Sequence, residues 1–217
     1  MTELTSASVA AETAWLDRWS AGPTETDLAP LRDGSAAPDL TLPDHTGRGR
    51  QLSEFWTGAP ALLMFWRHFG CSCGATRAAR LESEWSDYRD AGLAPVIISL
   101  GDPVRASAYR VTHALSAPVL CDPEARAYRA FGVGHWAVER VLYDAPAPFL
   151  SHSREVGKAF QESRRRRGNP PVDDPWRSVA EFVIAPTGRV RLAYGYQYCE
   201  DFPDPRVITT AARLSVR

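Results

Sequence analysis

The pattern of apolar and polar positions predicts strands alternating with helices along most of the chain. An unbroken apolar run at 61–66 and a largely apolar segment at 94–100 are typical of strands that are buried on both faces. Gly58 and Pro60 before the first run, and Gly70 after it, favour a strand there over a buried helix. Two fully buried strands in an α/β fold are therefore expected.

Helices are predicted where apolar residues recur three or four positions apart, and where an Asp-Pro pair provides a start. Leu81, Trp85 and Tyr88 form one apolar face between 78 and 90. Aspartate can cap the first amides of a helix, and proline fits the first turn. Such pairs mark three further helix starts: Asp102-Pro103, Asp122-Pro123 and Asp204-Pro205.

The N-terminal part of the chain predicts a helix that lies outside the main domain. Residues 6–21 have Trp15, Leu16 and Trp19 on one side, followed by a loop rich in Gly, Pro, Thr and Asp. We expect an N-terminal helical extension at 1–33 and one main domain at 34–217.

The main domain is expected to open with short strands and to close with a hairpin and a helix. Short strands, or a strand and a turn, are predicted in "DLTL" (39–42) and "RQLSEF" (50–55). Within 181–198, an apolar run to Ile184, a Pro-Thr-Gly turn and apolar residues that alternate from Val190 to Tyr198 predict the hairpin. The segment at about 134–177 has the composition of a surface insertion, with a candidate helix at 152–166.

Composition and charge narrow the classes of partner. The sequence has 25 Lys and Arg residues against 26 Asp and Glu residues, so no overall field favours nucleic acid or an anionic membrane. The Arg164–Arg167 run lacks interleaved aromatic residues and is typical of a solvated helix end. No secretory signal or 18-residue apolar run is present. A cytoplasmic protein that binds neither nucleic acid nor a membrane is expected.

Two cysteines at the predicted strand-to-helix junction are the main candidates for chemistry. Cys71 lies at the helix entrance, where free amides and the helix dipole stabilise a thiolate. Arg67 and His68 are predicted to add positive charge beside it. Cys73 is placed in the first helical turn, and side chains two positions apart on a helix point to different sides. A Cys71–Cys73 disulfide is therefore expected to need an unwound first turn, or to be strained and oxidising.

Two other interpretations of these cysteines remain open on the residues alone. Unpaired cysteines are often small core residues, and Cys121 at the end of a predicted strand fits that description. His68, Cys71 and Cys73 also form a soft ligand set for copper or zinc, to which Cys199 or Cys121 can be added. A second metal-binding pair at the usual spacing is absent from the sequence.

Four segments resemble the alkyl hydroperoxide reductase/thiol-specific antioxidant (AhpC/TSA) family, especially its divergent peroxiredoxin-like members. They are "GSAAPDLTLPDHTGRGRQLSEF", "ALLMFWRHFGC", "PVLCDPEARAYRAFGV" and "EFVIAPTGRVRLAYGY", and the resemblance covers about 34–133 and 178–214. It implies a thioredoxin-like, three-layer α/β/α fold with a central mixed sheet. It also implies a Cys71 thiolate that attacks a peroxide or a disulfide and is resolved by a second thiol, with a thiol as reductant and without a cofactor.

Further candidate site residues accompany Cys71. Cys73 is the expected resolving or auxiliary thiol, and Cys199, in the loop before the last helix, is a second candidate from the same chain or a homodimer partner. Candidate pocket residues are Trp66, Arg177, His135 and Trp136.

The sequence departs from the family pattern at the site itself. Met64 and His68 stand where peroxidases have Pro and Thr or Ser, Arg177 is out of register with the family's arginine, and Gly74 replaces the second cysteine of a CxxC motif. Two rival functions therefore accompany a thiol-dependent oxidoreductase. One is an enzyme for a small metabolite with a pocket built by the insertion, and the other is a soft-metal binding protein.

Overall fold

A five-stranded mixed sheet forms the centre of the fold. The computed structural model describes residues 6–142, 159, 162–167 and 173–216. The sheet has the order β5-β4-β3-β6-β7, with β4 parallel to both β3 and β5 and with β6 antiparallel to both β3 and β7. Its strands are β3 (Ala61–Phe65), β4 (Ala94–Ser99), β5 (Val119–Cys121), β6 (Ala180–Ile184) and β7 (Val190–Gly195). A separate antiparallel pair joins β1 (Thr41–Pro43) to β2 (Gly49–Gln51), as predicted, and a 3₁₀ turn (Leu52–Phe55) follows it.

Helices cover both faces of the sheet. They are α1 (Ser6–Ala21), α2 (Ser72–Ser83), α3 (Trp85–Asp90), α4 (Pro103–Thr112), α5 (Arg126–Ala130), α6 (Val138–Leu142) and α7 (Pro205–Ser215). Leu62 and Met64 of β3 lie in one core with residues of α2, α3, α4 and α7. Leu63 and Phe65 lie in the other core, with α5 and the β1 region, because successive strand side chains point to opposite faces. The predicted three-layer α/β/α arrangement around a mixed sheet is confirmed.

Several helix boundaries differ from the predicted ones. The apolar stripe at 78–90 belongs to two helices that meet at Glu84, whose N–H donates to the Arg80 carbonyl. Asp102 and Asp204 cap α4 and α7 as expected. Asp122 does not directly start a helix, since a turn through Ala125 intervenes before α5. Its carboxylate still accepts hydrogen bonds from the first amides of that helix.

The N-terminal helix has the predicted bounds, but one residue faces the other way. Trp15 and Trp19 are half-buried and their rings stack, whereas Leu16 is 52% exposed. Within the predicted 152–166 helix, residues 159 and 162–166 are helical, and the remaining positions lie outside the described residues. The division into an extension at 1–33 and a domain at 34–217 stays a prediction. No helix in the described ranges is both long and apolar enough to cross a bilayer.

Candidate redox site

The cysteine pair lies where the central strand β3 leads into α2. Cys71 is the N-cap of α2, with extended backbone (φ −90°, ψ 131°), and its N–H donates to the His68 carbonyl over 3.1 Å. Its side chain makes no capping hydrogen bond. Cys73 is the second residue of the helix and is only 6% exposed, whereas Cys71 is half-buried. The fold thus places Cys71 at the positive end of a helix and leaves its sulfur the more accessible of the two.

A disulfide joins Cys71 and Cys73, with a Cα–Cα distance of 5.3 Å. Of the two expected alternatives, an unwound first turn is not found, since α2 begins at Ser72. That expectation treats both residues as helical, but Cys71 precedes the helix and has extended backbone. The cap therefore turns its side chain toward Cys73 while α2 still begins at Ser72.

A third sulfur lies beside this disulfide. The Sγ atoms of Cys71, Cys73 and Cys199 all lie within 4.8 Å of one another. Cys199 is unpaired and half-buried, in the segment between β7 and α7. The sequence offers little to predict this contact, because no local pattern shows where a loop after the last strand will fold. Cys121, by contrast, is buried in β5, as predicted.

Arg67 connects two of these sulfurs. Its Nη1 lies 3.0 Å from Cys199 Sγ and 3.8 Å from Cys71 Sγ. The side chain is only 9% exposed. Its Nε donates to the Arg177 carbonyl over 3.2 Å, and its Nη2 donates to the Pro175 carbonyl. The guanidinium therefore provides a fixed positive charge at the sulfur cluster.

His68 does not supply the predicted second positive charge. It is 6% exposed, and its Nδ1 has no hydrogen-bond partner in the described part of the chain. Burial, and then the positive charges of Arg67 and Arg164, lower the pKa of His68 to about 3. The imidazole is thus neutral near pH 7. Nor does His68 belong to the group of candidate metal ligands, where Cys199 takes its place beside the cysteine pair.

The candidate pocket residues Arg177 and His135 also belong to one polar network. The Arg177 guanidinium lies 2.6 Å from Glu25 and 3.2 Å from Asp174. His135 Nε2 lies 2.6 Å from Asp174, while its Nδ1 accepts hydrogen bonds from the Thr24 and Glu25 amides. Arg177 therefore takes part in the site through its backbone carbonyl, which fixes Arg67.

Trp66 and Trp136 have different surroundings. Trp66 is buried, and its ring packs edge-on against Tyr109. The Trp136 ring lies 5.4 Å from the Arg67 guanidinium, within cation–π range. Trp136 and His135 both line a cleft of about 850 Å³ that also includes Tyr196. Trp136 thus lies next to both this cleft and the guanidinium at the sulfur cluster.

Arg164 is a neighbour of the site that the sequence does not reveal. The Arg164–Arg167 run is predicted to be a solvated helix end, and Arg165, Arg166 and Arg167 are exposed accordingly. Arg164 instead donates to the Phe69 carbonyl over 3.2 Å, in the loop that precedes Cys71. Four consecutive arginines carry no periodic signal that would single out this one.

Comparison with known proteins places this arrangement in a family. The profile described as "AhpC/TSA family" matches residues 34–193. The chain belongs to the AhpC/TSA family. As a member of this family it is a thiol-dependent oxidoreductase, which confirms the predicted class of enzyme. Membership also implies peroxide or disulfide substrates and a thiol reductant.

Individual AhpC/TSA relatives are distant from this chain. A Mycobacterium tuberculosis protein named "Putative peroxiredoxin" is 28% identical over 107 residues, which cover 49% of this chain and 68% of that protein. The structure of Peroxidoxin BcpB from Mycobacterium tuberculosis has a TM-score of 0.61 at 16% identity, and the match covers 86% of this chain and 99% of that one. Thiol peroxidase from Chromobacterium violaceum has a TM-score of 0.59 at 15% identity, over 87% and 90% of the two chains. These structural matches confirm the fold.

Proposed function

We propose that this AhpC/TSA member reduces peroxide or disulfide bonds through the Cys71 thiolate and that Cys73 resolves the product. The observation that supports this most directly is the Cys71–Cys73 disulfide at the start of α2. It is the oxidised product that such a cycle leaves behind. Since Cys71 is the more exposed sulfur, both substrate and reductant reach it first.

The cycle balances without a cofactor. The Cys71 thiolate attacks one oxygen of a hydroperoxide, the O–O bond breaks, and an alkoxide leaves and takes a proton to become an alcohol. The resulting Cys71 sulfenic acid is attacked by Cys73, and hydroxide leaves as water once it gains the Cys73 proton. Two external thiols then reduce the disulfide and are oxidised to a disulfide themselves. With a disulfide substrate, Cys71 attacks one sulfur and displaces the other as a thiol. Cys73 then attacks the Cys71 sulfur of the mixed disulfide, which releases the second thiol and forms the Cys71–Cys73 disulfide.

Two features of the site support Cys71 as the attacking sulfur. A thiolate at a helix N-terminus is stabilised by the free amides and the helix dipole, and Cys71 is the N-cap of α2. Arg67 Nη1, at 3.8 Å, adds a positive charge that solvent screens little because the guanidinium is buried. Cys73 is further inside the helix and is almost fully covered.

The test is to treat the fully reduced protein with hydrogen peroxide, an organic hydroperoxide or oxidised glutathione, and to map the oxidised thiols by mass spectrometry. Each effective oxidant is expected to give the Cys71–Cys73 disulfide in the wild type. Cys71→Ser is expected to lose turnover completely, and Cys73→Ser to stop at a sulfenic acid or mixed disulfide on Cys71. Cys121→Ala, which removes a buried thiol away from the site, is the matched control. Turnover retained in Cys71→Ser would contradict the proposal.

Cys199 is proposed as an auxiliary resolving thiol. Its sulfur lies within 4.8 Å of the other two, and Arg67 Nη1 lies 3.0 Å from it. In Cys73→Ser, a Cys71–Cys199 disulfide is therefore expected within the same chain. Cys73→Ser combined with Cys199→Ser is expected to accumulate the sulfenic acid, which dimedone traps. Equal trapping with and without Cys199 would exclude this role.

Compartment and assembly are also proposals. We infer a cytoplasmic location, because a reducing compartment supplies the thiols that would return the disulfide to its dithiol form. The proposed Cys71–Cys73 and Cys71–Cys199 disulfides each form within one chain, so the cycle does not depend on a homodimer. Thiol mapping after fractionation of the native host, with rapid acid quenching, tests the location. A pool that stays fully oxidised in growing cells would contradict it.

A further inference from the structure

The three sulfurs of the site also form the donor set of a soft-metal centre. Cys71, Cys73 and Cys199 come from two distant segments of the chain, yet their Sγ atoms lie within 4.8 Å of one another. Three thiolates around a metal with sulfur bonds of about 2.3 Å are separated by about 4 Å. Once the disulfide is reduced, the Cys71 and Cys73 sulfurs must move apart from bonding distance to reach this spacing, and Cys199 already lies within 4.8 Å of both. Reduction is essential, since two of the three donors are bonded to each other in the oxidised form.

The surroundings of the sulfurs favour a soft, monovalent ion. The group of candidate ligands in the described ranges contains three cysteines, without a carboxylate or an imidazole. Thiolate ligands select copper(I) over hard cations, and copper(I) accepts three-coordinate geometry, whereas structural zinc is almost always four-coordinate. Cys73 is nearly covered, so one side of the cluster is shielded from water. A three-sulfur donor set therefore suits copper(I) better than zinc.

Arg67 offsets the charge that such a centre accumulates. Three thiolates and one copper(I) ion leave an excess of negative charge, and the buried guanidinium reduces it. The N–H group at 3.0 Å from Cys199 Sγ is placed to donate to a metal-bound thiolate. Hydrogen bonds of this kind orient ligands, and their loss costs about 10-fold to 100-fold in metal affinity.

We propose that the dithiol form binds one copper(I) ion through Cys71, Cys73 and Cys199, and that oxidation to the Cys71–Cys73 disulfide abolishes the site. Binding displaces the thiol protons and transfers no electrons. The inference uses the sulfurs of the proposed function, but it does not require that the enzyme turn over peroxide. If both are correct, copper(I) occupies Cys71 and inhibits turnover.

The probe is copper(I) held by bicinchoninate, offered anaerobically to reduced protein from which the reductant has been removed. Wild type is expected to withdraw one equivalent, seen as a loss of the absorbance of the coloured chelate. Cys199→Ser and Cys71→Ser are each expected to lose this stoichiometric transfer. The oxidised wild type has two of the donors bonded to each other, and it is also expected to take up none. Cys121→Ala retains the three donors and is expected to behave as wild type.

Each alternative result overturns the inference. No transfer to reduced wild type excludes the site, and transfer to Cys199→Ser equal to wild type excludes the third ligand. Preferential uptake of zinc from an equimolar mixture contradicts the assignment to copper(I). Loss of uptake in Cys121→Ala locates the binding elsewhere. Failure of the proposed function appears separately, as an absence of Cys71 oxidation in metal-free protein.

Discussion

The electrostatics of the site depend on one residue, Arg67. It is buried, and its described hydrogen bonds go to two carbonyls and to sulfur, with no carboxylate among them. A buried charge without a counterion is unfavourable by several kcal/mol. In the reduced protein, a thiolate formed beside Arg67 would be the counterion, as the proposed function requires.

The buried His68 side chain is expected to make the free energy of unfolding depend on pH. Its native pKa, near 3, lies below its ordinary value of 6.5, so the unfolded state binds more protons between these values. The free energy of unfolding should therefore fall as the pH is lowered through this window. Between pH 7 and pH 4.5 the loss from this group is about 2–3 kcal/mol, to be measured by urea unfolding.

The matched comparison for this effect is His68→Phe, which cannot take up a proton. All other titrating groups are shared, so the difference between the two pH profiles isolates the imidazole. The wild type is expected to lose more stability on acidification than the variant. Parallel profiles would show that the buried imidazole does not titrate as inferred.

For single residues, the sequence predicts the place of a side chain in the fold better than its protonation state or its distant contacts. The junction of an apolar strand and a helix is visible locally, so Cys71 can be placed at a helix entrance without a structure. The neutral form of His68 depends on burial by residues far away in sequence, which no local pattern encodes. The contact of Arg67 with Cys199 likewise depends on how a loop after β7 returns to β3.

At the scale of elements, α2 is fixed to the sheet by a buried ion pair. Arg77, in the middle of this helix, is 3% exposed and donates to Glu181 of β6 over 2.8 Å. It also lies 3.1 Å from Glu84, and Tyr196 donates to Glu181 from the strand end. Because α2 begins next to Cys71, this ion pair also sets where the helix N-terminus meets the sulfurs.

Removing only one partner of this pair is expected to be costly. Arg77→Leu leaves the carboxylate of Glu181 buried and unpaired, which lowers the free energy of unfolding by about 3–5 kcal/mol. Arg77→Leu combined with Glu181→Leu removes both charges and is expected to be less destabilised than the single variant. Urea unfolding at pH 7 measures both. A double variant as unstable as the sum of the two single ones would show that the pair is not coupled.

The elements themselves are largely predictable, and the exceptions have identifiable causes. Apolar runs place β3 and β4, and Asp-Pro pairs place α4 and α7, because these signals are local. Asp122 resembles the same signal, but it caps the first amides of α5 from outside the helix, across a turn. Pattern alone does not distinguish a capping aspartate at the helix boundary from one three residues earlier.

For the molecule as a whole, the N-terminal helix is linked to the redox site through one short segment. The Trp19 ring stacks on Trp176 with centroids 4.5 Å apart, and Trp176 Nε1 donates to the Arg18 carbonyl. The neighbours of Trp176, Pro175 and Arg177, provide the two carbonyls that hold Arg67. A helix outside the family match at 34–193 therefore supports the guanidinium that faces the sulfurs.

Trp19→Ala is expected to weaken both the fold and the reactivity of Cys71. Loss of the stacked ring lowers the free energy of unfolding by at least about 0.5–1.5 kcal/mol. With the Trp176 segment held less firmly, Arg67 stabilises the thiolate less well, so iodoacetamide should alkylate Cys71 more slowly at pH 7 in reduced protein. Leu16→Ala is the control from the exposed side of the same helix and should stay within about 0.5 kcal/mol of wild type. A Trp19→Ala variant that is less stable but alkylates at the wild-type rate would show that α1 supports the fold without reaching the site.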